Sequence, residues 1–209
     1  MEDVLSVYHR PYDVNFPVLC PDEAAKQILS DARKPIAMTC GQVERADSEY
    51  VREGVVALFM ASEPLAGNRS VFVRERRTAL DFAQVVRFLV EEKYAGAVKV
   101  VIVLDNLNTH GAHSLYEAFD PATAKRIADR IEWHFPPKHG SWLNMAEIEL
   151  SVLAKQCLAE RMGSLEHLTA QVLAWQERRN KAKAKVNWQF TTEQARIKLK
   201  KLYPQILTS

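Results

Sequence analysis

Val98-Lys-Val-Val-Ile-Val-Leu-Asp105 is the most strand-like stretch of the sequence. It is apolar on both faces, which predicts a strand enclosed in the middle of a sheet and ending at Asp105-Asn106. Upstream, Val55-Val-Ala-Leu-Phe-Met60 and Ser70-Val-Phe-Val-Arg74 flank Glu63-Pro-Leu-Ala-Gly-Asn68, whose proline and glycine mark a turn, so a hairpin is expected. Thr78 and Asp81 stand at capping distance, and Leu80, Val85, Phe88 and Leu89 keep a helical period up to about Tyr94. Nearer the start, Pro17-Val-Leu-Cys-Pro-Asp22 reads as a short strand in which Pro21 sits awkwardly, because it cannot donate to a ladder. Residues 30–54 are mixed, polar and rich in turn formers, and read as a loop or small insertion.

Downstream, a helix is expected over Ala112–Phe119. Asp120-Pro121 then supplies an N-cap and an N1 proline for another across 122–130. Ile131-Glu-Trp-His-Phe135 is a short strand stopped by Pro136-Pro137. Asn144 and Glu147 have capping-box spacing ahead of a helix with Ala146, Leu150, Leu153 and Cys157 on one face. Two more helices are expected near 164–182 and 192–203, the latter capped by Thr191 and Gln194. The fold class is therefore α/β, a mixed sheet with antiparallel strands first and parallel strands later, flanked by helices. There is no glycine-rich turn after the first strand and no phosphate-loop motif, which excludes the common nucleotide-binding folds.

The 209 residues suit one domain or one domain with a tail. The longest apolar run, Val55–Ala61, is far short of the roughly 20 residues a membrane helix needs. No signal peptide opens the sequence, so a soluble, cytoplasmic protein is expected. Cys20, Cys40 and Cys157 are odd in number and widely spaced, which argues against a disulfide framework or a structural zinc. Net charge is +2, but residues 151–209 carry 11 basic against 4 acidic side chains, and the rest of the chain is net negative. That asymmetry makes the C-terminal quarter, with Arg178, Arg179, Lys181, Lys183 and Lys185, a candidate for contact with a polyanion; its ordinary reading is a solvated helix face.

Three acids stand at element ends: Asp22 on the first strand, Asp105 at the tip of the apolar strand, and Glu147 in the first turn of a later helix. Taken singly, each has an ordinary role as turn residue, cap or capping partner. Together, in this order of elements, they point to a carboxylate cluster, which repels itself unless a divalent cation neutralises it. Oxygen-only donors suit Mg²⁺ or Mn²⁺, and two such ions can clamp the attacking and leaving oxygens of a phosphodiester displacement. Glu23 and Glu149 compete for the same roles. Strand alternation turns Glu23 away from Asp22, however, and Glu149 lies about 200° around its helix from Glu147.

Val103-Leu-Asp-Asn-Leu-Asn-Thr-His110, Trp133-His-Phe-Pro-Pro-Lys-His-Gly-Ser-Trp-Leu-Asn-Met-Ala-Glu147 and Asn187–Pro204 resemble the catalytic half of bacterial insertion-sequence transposases of the Tc/mariner superfamily. The similarity runs over about residues 1–207, and D-N-x-x-T-H with S-W-L-N-x-x-E is specific in combination. It implies an RNase H-like fold over residues 1–160, with a basic helical extension over 161–209. It further implies a triad of Asp22, Asp105 and Glu147 holding two Mg²⁺ ions, with Mn²⁺ as substitute. The activity implied is cut-and-paste transposition by hydrolytic nicking and 3′-hydroxyl strand transfer. The partners implied are double-stranded DNA, as terminal inverted repeats and a TA-containing target, and a second copy in a homodimer on that DNA.

Full transposases of this type begin with helix-turn-helix modules, and this sequence starts near where their catalytic domain would. It therefore resembles a second reading frame, paired with an N-terminal recognition frame, or a truncated copy, associated with the nucleoid when DNA-bound. Pro21 departs from the apolar residue the family usually has before its first acid. Asn106, Asn108, Thr109 and His110 are candidates to bind phosphate or orient Asp105; Lys138 and His139 are candidates for phosphate contact, and Trp142 for stacking on an unpaired base. The competing functions are an inactive transposase-derived DNA-binding or assembly fragment and an RNase H-type nuclease without strand transfer.

Overall fold

In the computed structural model, which describes residues 1–33, 36–43, 48–105, 110–137 and 140–203, the chain opens with α1 (Glu2–Tyr8) and three strands, β1 (Val18–Asp31), β2 (Tyr50–Glu63) and β3 (Asn68–Arg74). There follow α2 (Ala79–Phe88), a π-helical turn, β4 (Val100–Val103), α3 (Ala112–Ala118), α4 (Pro121–Ala128) and β5 (Ile131–His134). After a 3₁₀ turn at Ser141–Leu143 come α5 (Ala146–Gln156), α6 (Leu165–Lys181) and α7 (Thr192–Lys198). The sheet order is β3-β2-β1-β4-β5, with β1, β2 and β3 antiparallel and β4 and β5 parallel to β1. This is the RNase H-like arrangement expected from the sequence. Among the described residues, no helix is long and apolar enough to cross a membrane.

Every residue of β4 is buried, as its uniform apolarity requires, but the middle of the sheet is β1. The sequence pattern underestimated β1, which runs nine residues past Asp22, and read the start of β2 as loop. Beyond residue 23 the two strands pair mainly with each other. One face of that arm buries Ile28, Val56 and Leu58 against α5 and α6, but Lys26, Gln27, Ser30 and Arg52 break the apolar alternation that would have marked the strand. A bulge between Ile28 and Leu29 faces Gly54, whose φ is +150°.

Pro21 fits inside β1 for a specific reason. Odd-numbered residues of this stretch aim their backbone groups at β4, as the Pro17 carbonyl shows by accepting from Val101 N–H. The recorded β1–β4 pairing stops at Leu19, so the donor Pro21 lacks has no ladder acceptor to serve.

Helices cover both faces. Phe82, Val86, Leu115 and Ile127 pack on Leu19, Phe59 and Ile102 on one side. On the other, α1 buries Val4, Leu5, Val7 and Tyr8 against Val18, Cys20, Val103 and Ala146, and α6 buries Leu168, Val172 and Trp175 against Leu58, Met60 and Leu153. Fully burying one such side chain is worth roughly 1.5–3 kcal/mol, so these helices hold to the sheet by their apolar faces. The edge strand β3 is capped by α6. Asn180 accepts from Arg69 N–H and donates to the Arg69 carbonyl, and Gln176 accepts from Val71 N–H. Gly67 turns the β2–β3 loop with φ +73°, and a Cβ there would lie 2.5 Å from the Lys183 carbonyl carbon, so the 183–184 backbone rests directly on the turn.

Candidate active site

Strand register assembles the first two acids. Leu19 pairs with Ile102, and carrying that parallel register onward sets Asp22 beside Asp105, just past the end of β4. Both fall on the face shared with α5, because Val18 and Cys20 precede Asp22 on that side and Val101 and Val103 precede Asp105. Glu147 sits exposed in the first turn of α5. The capping box expected with Asn144 does not form, since the cap position belongs to Met145 and no side chain closes it. Instead the buried Asn144 bridges two elements. Its oxygen accepts from Ala146 N–H at 3.1 Å, and its amide donates to the Pro21 carbonyl at 3.2 Å and to Asp22 Oδ2 at 3.3 Å.

Asp22 reports on its neighbours. Burial pushes its carboxyl up to about 6, a hydrogen bond from Glu23 N–H opposes this, and the charges of Asp105, Glu23 and Glu147 add to the rise. A carboxylate burdened by neighbouring carboxylates in this way belongs to a site suited to a cation.

His110 was expected at DNA phosphate, or alternatively as an orienter of Asp105. The structure corrects the first expectation. The side chain is 2% exposed, with Nδ1 2.5 Å from Asp105 Oδ1 and Nε2 2.7 Å from Glu23 Oε2, and its ring packs on Phe82. Burial pushes the imidazole pKa down, but the two carboxylate contacts outweigh it and hold the value at about 9. Both nitrogens are occupied and neither faces solvent. Glu23 does turn away from Asp22, as alternation requires, and the other face is where it meets His110. Its polarity on a face otherwise destined for the core was the available signal for a buried partner.

Arg179 is a second correction. Its Nη2 lies 2.7 Å from Glu149 Oε1, and Arg69 Nε lies 3.2 Å from Glu149 Oε2, with Arg69 and Glu149 almost wholly buried. Arg179 thus closes an internal ion cluster, invisible in the sequence because its members lie far apart in the chain. Arg178, Lys181, Lys183 and Lys185 are exposed. Arg178 also lines a basic cleft of about 310 Å³ with Lys155 and His167, at the end of α5 opposite Glu147. Trp142 is 41% exposed, in an edge contact with Phe190, and keeps a ring surface open. Asn106, Asn108, Thr109, Lys138 and His139 lie outside the described residues.

Among the described residues, no three His, Cys, Asp or Glu side chains already stand as a metal-binding group. The donor chemistry nonetheless fits a hard divalent cation. The three acids offer only oxygen, and Cys20, on the same face of β1, is buried with its thiol pushed up to about 12 by burial.

A family model described as DDE superfamily endonuclease matches residues 17–169, well over half of the chain. No curated protein matches the sequence. Among solved structures, a simian T-cell lymphotropic virus intasome in complex with the PP2A regulatory subunit B56 gamma is similar at 13% identity and TM-score 0.45, covering 77% of this chain and 49% of that one. A Mos1 transposase paired-end complex with left transposon end is similar at 14% identity and TM-score 0.39, covering 90% and 61%. A Mos1 mariner paired-end complex with Mn reaches 15% identity and TM-score 0.33, with the same coverage. The chain thus spans about half to three-fifths of the proteins it resembles, and likenesses this loose carry nothing about the site.

Proposed function

The chain belongs to the DDE superfamily endonucleases, and we propose that it is the catalytic portion of a DNA transposase, cutting DNA strands at transposon ends and joining the freed 3′-hydroxyl to target DNA. The observation that carries this reading is the charge that Asp105 and Glu147 lay on Asp22, the three acids coming separately from the end of β4, the start of α5 and β1. These three would hold two Mg²⁺ ions, or Mn²⁺ in their place. When bound, the ions supply the Lewis acidity that activates a nucleophilic oxygen and stabilises the departing one.

The protein's own part is placement. Asn144 steers Asp22, His110 steers Asp105, and the register of β1 and β4 brings the two carboxylates side by side. Residues 1–160 contain this machinery, and the basic 161–209 segment is assigned to DNA through Arg178, Lys181, Lys183 and Lys185, with Trp142 offering a surface to an unpaired base. Phosphate contact requires only positive charge near the duplex, so this binding is sequence-tolerant. Lys138, His139 and Asn106 are assigned to the same DNA path. Terminal inverted repeats and a TA-containing target as DNA, a homodimer on it and an N-terminal helix-turn-helix partner complete the reading, with association at the nucleoid.

The test is nicking of supercoiled plasmid with Mg²⁺ or Mn²⁺, followed by joining of a 3′-hydroxyl oligonucleotide to target. Both activities are expected, and Asp105→Asn is expected to abolish both while leaving the protein folded. Nicking without joining would replace the reading by a nuclease without strand transfer. DNA binding without nicking would replace it by an inactive fragment.

A further inference from the structure

Glu23 is a buried acid with an unusual placement. Its side chain is 2% exposed, on the face of β1 opposite Asp22, and its Oε2 lies 2.7 Å from His110 Nε2. The other nitrogen of the same ring lies 2.5 Å from Asp105 Oδ1. Arg77, itself 57% exposed, approaches Glu23 Oε1 only to 3.6 Å, so the imidazole is the close partner. Packing on Phe82, with ring centroids 4.6 Å apart, holds the ring in place.

Carboxylates accept and do not donate, so Nδ1 presents its N–H to Asp105, and Nε2 stands in ion-pair contact with Glu23. Turning the ring over would put carbon where a nitrogen now stands and break both contacts. Asp105, by contrast, stands beyond the last laddered residue of β4, where a carboxylate torsion is soft. We propose that Glu23 is a positioning residue: through His110 it sets the plane of the Asp105 carboxylate for the divalent cation. This rests on the reading of Asp105 as a metal ligand. An acid behind a ligating histidine sets ring orientation at many metal sites, and here the same device works one residue further from the ion.

The test uses the full chain without DNA and measures Mn²⁺ affinity by calorimetry, with plasmid nicking read in parallel. Glu23→Met keeps the volume and removes the acceptor, and is expected to weaken Mn²⁺ binding about 10–100-fold. Glu23→Gln still offers an oxygen to Nε2–H and is expected to recover most of that loss, which a packing role would not distinguish from Met. In a His110→Gln background, Glu23→Met is expected to add nothing.

Wild-type affinity in Glu23→Met, equal losses in Met and Gln, or a full further loss in the His110→Gln background would each overturn the proposal. If Glu23→Met does not fold by circular dichroism, His110→Gln is compared with His110→Phe. Gln can donate to Asp105 and should bind Mn²⁺ more tightly, and equal affinities would overturn the proposal. Wild-type protein that binds Mn²⁺ but does not nick DNA defeats the proposed function and leaves this measurement intact. Wild-type protein that binds no Mn²⁺ defeats the positioning role.

Discussion

Asp22 makes the folded protein sensitive to pH in a calculable direction. Its carboxyl rises from an ordinary 3.8 to about 6 on folding, so the folded state holds its proton more tightly than the unfolded chain. The stability this confers is present below about pH 4 and is lost as pH rises through 6. His110, raised to about 9, confers stability that is present below about pH 6.5 and lost only as pH rises towards 9, so the lower window belongs to Asp22. In chelator, Asp22→Asn is expected to gain on wild type by up to roughly 3 kcal/mol between pH 4 and pH 7 in urea denaturation. A gap between the two that does not change with pH would remove Asp22 from the cluster. With saturating Mn²⁺ at pH 7 the order is expected to reverse, because an ion that binds the folded state stabilises wild type and has lost a ligand in the variant.

Among the elements, α5 and α6 are locked by charge as well as by apolar contact. Glu149 lies between Arg69 of β3 and Arg179 of α6 with almost no exposure, so Glu149→Ala leaves two arginines facing each other in a dry site. The expected cost is about 3–5 kcal/mol in chemical denaturation, the usual scale for orphaning a buried ion partner. A loss within 1 kcal/mol would show that the cluster is hydrated. The turn before β3 offers an independent check on the same union. Gly67→Ala would drive a Cβ into the Lys183 carbonyl at a positive φ, and it is expected to loosen the 181–185 segment to trypsin before the protein unfolds globally.

These elements also show what a sequence exposes. The hairpin, the Thr78–Asp81 and Thr191–Gln194 caps, and the Asp120-Pro121 helix start were legible because each is local chemistry within a few residues. The length of β1, the Glu23–His110 contact and the Arg69–Glu149–Arg179 cluster were not, because each depends on partners nineteen or more residues away. The triad stood between these cases. Its residue types and element positions were readable, while the register that sets Asp22 against Asp105 was not.

Across the whole molecule, charge is divided between a net-negative body and a basic C-terminal quarter. With Arg179 committed internally, four exposed cations of the original five remain as the proposed DNA contacts. Replacing Arg178, Lys181, Lys183 and Lys185 by Gln is expected to reduce the slope of log K against log salt by up to about 3–4 units if each meets a duplex phosphate. Arg179→Gln should lower stability and leave that slope alone, and the reverse pattern would return the four residues to a merely solvated face. The sheet itself forks at Pro21. One tine, β1 with β2, runs on through Asp22 opposite Met60, while the pairing of β1 with β4 ends at Leu19, so no ladder joins the two acids to each other. Register sets the two acids side by side, and the side chains of Asn144 and His110 make the last adjustment of their carboxylates. A valine at position 21 would restore an N–H but meet no ladder acceptor on β4, so the gap between the two acids would stay bridged by side chains alone.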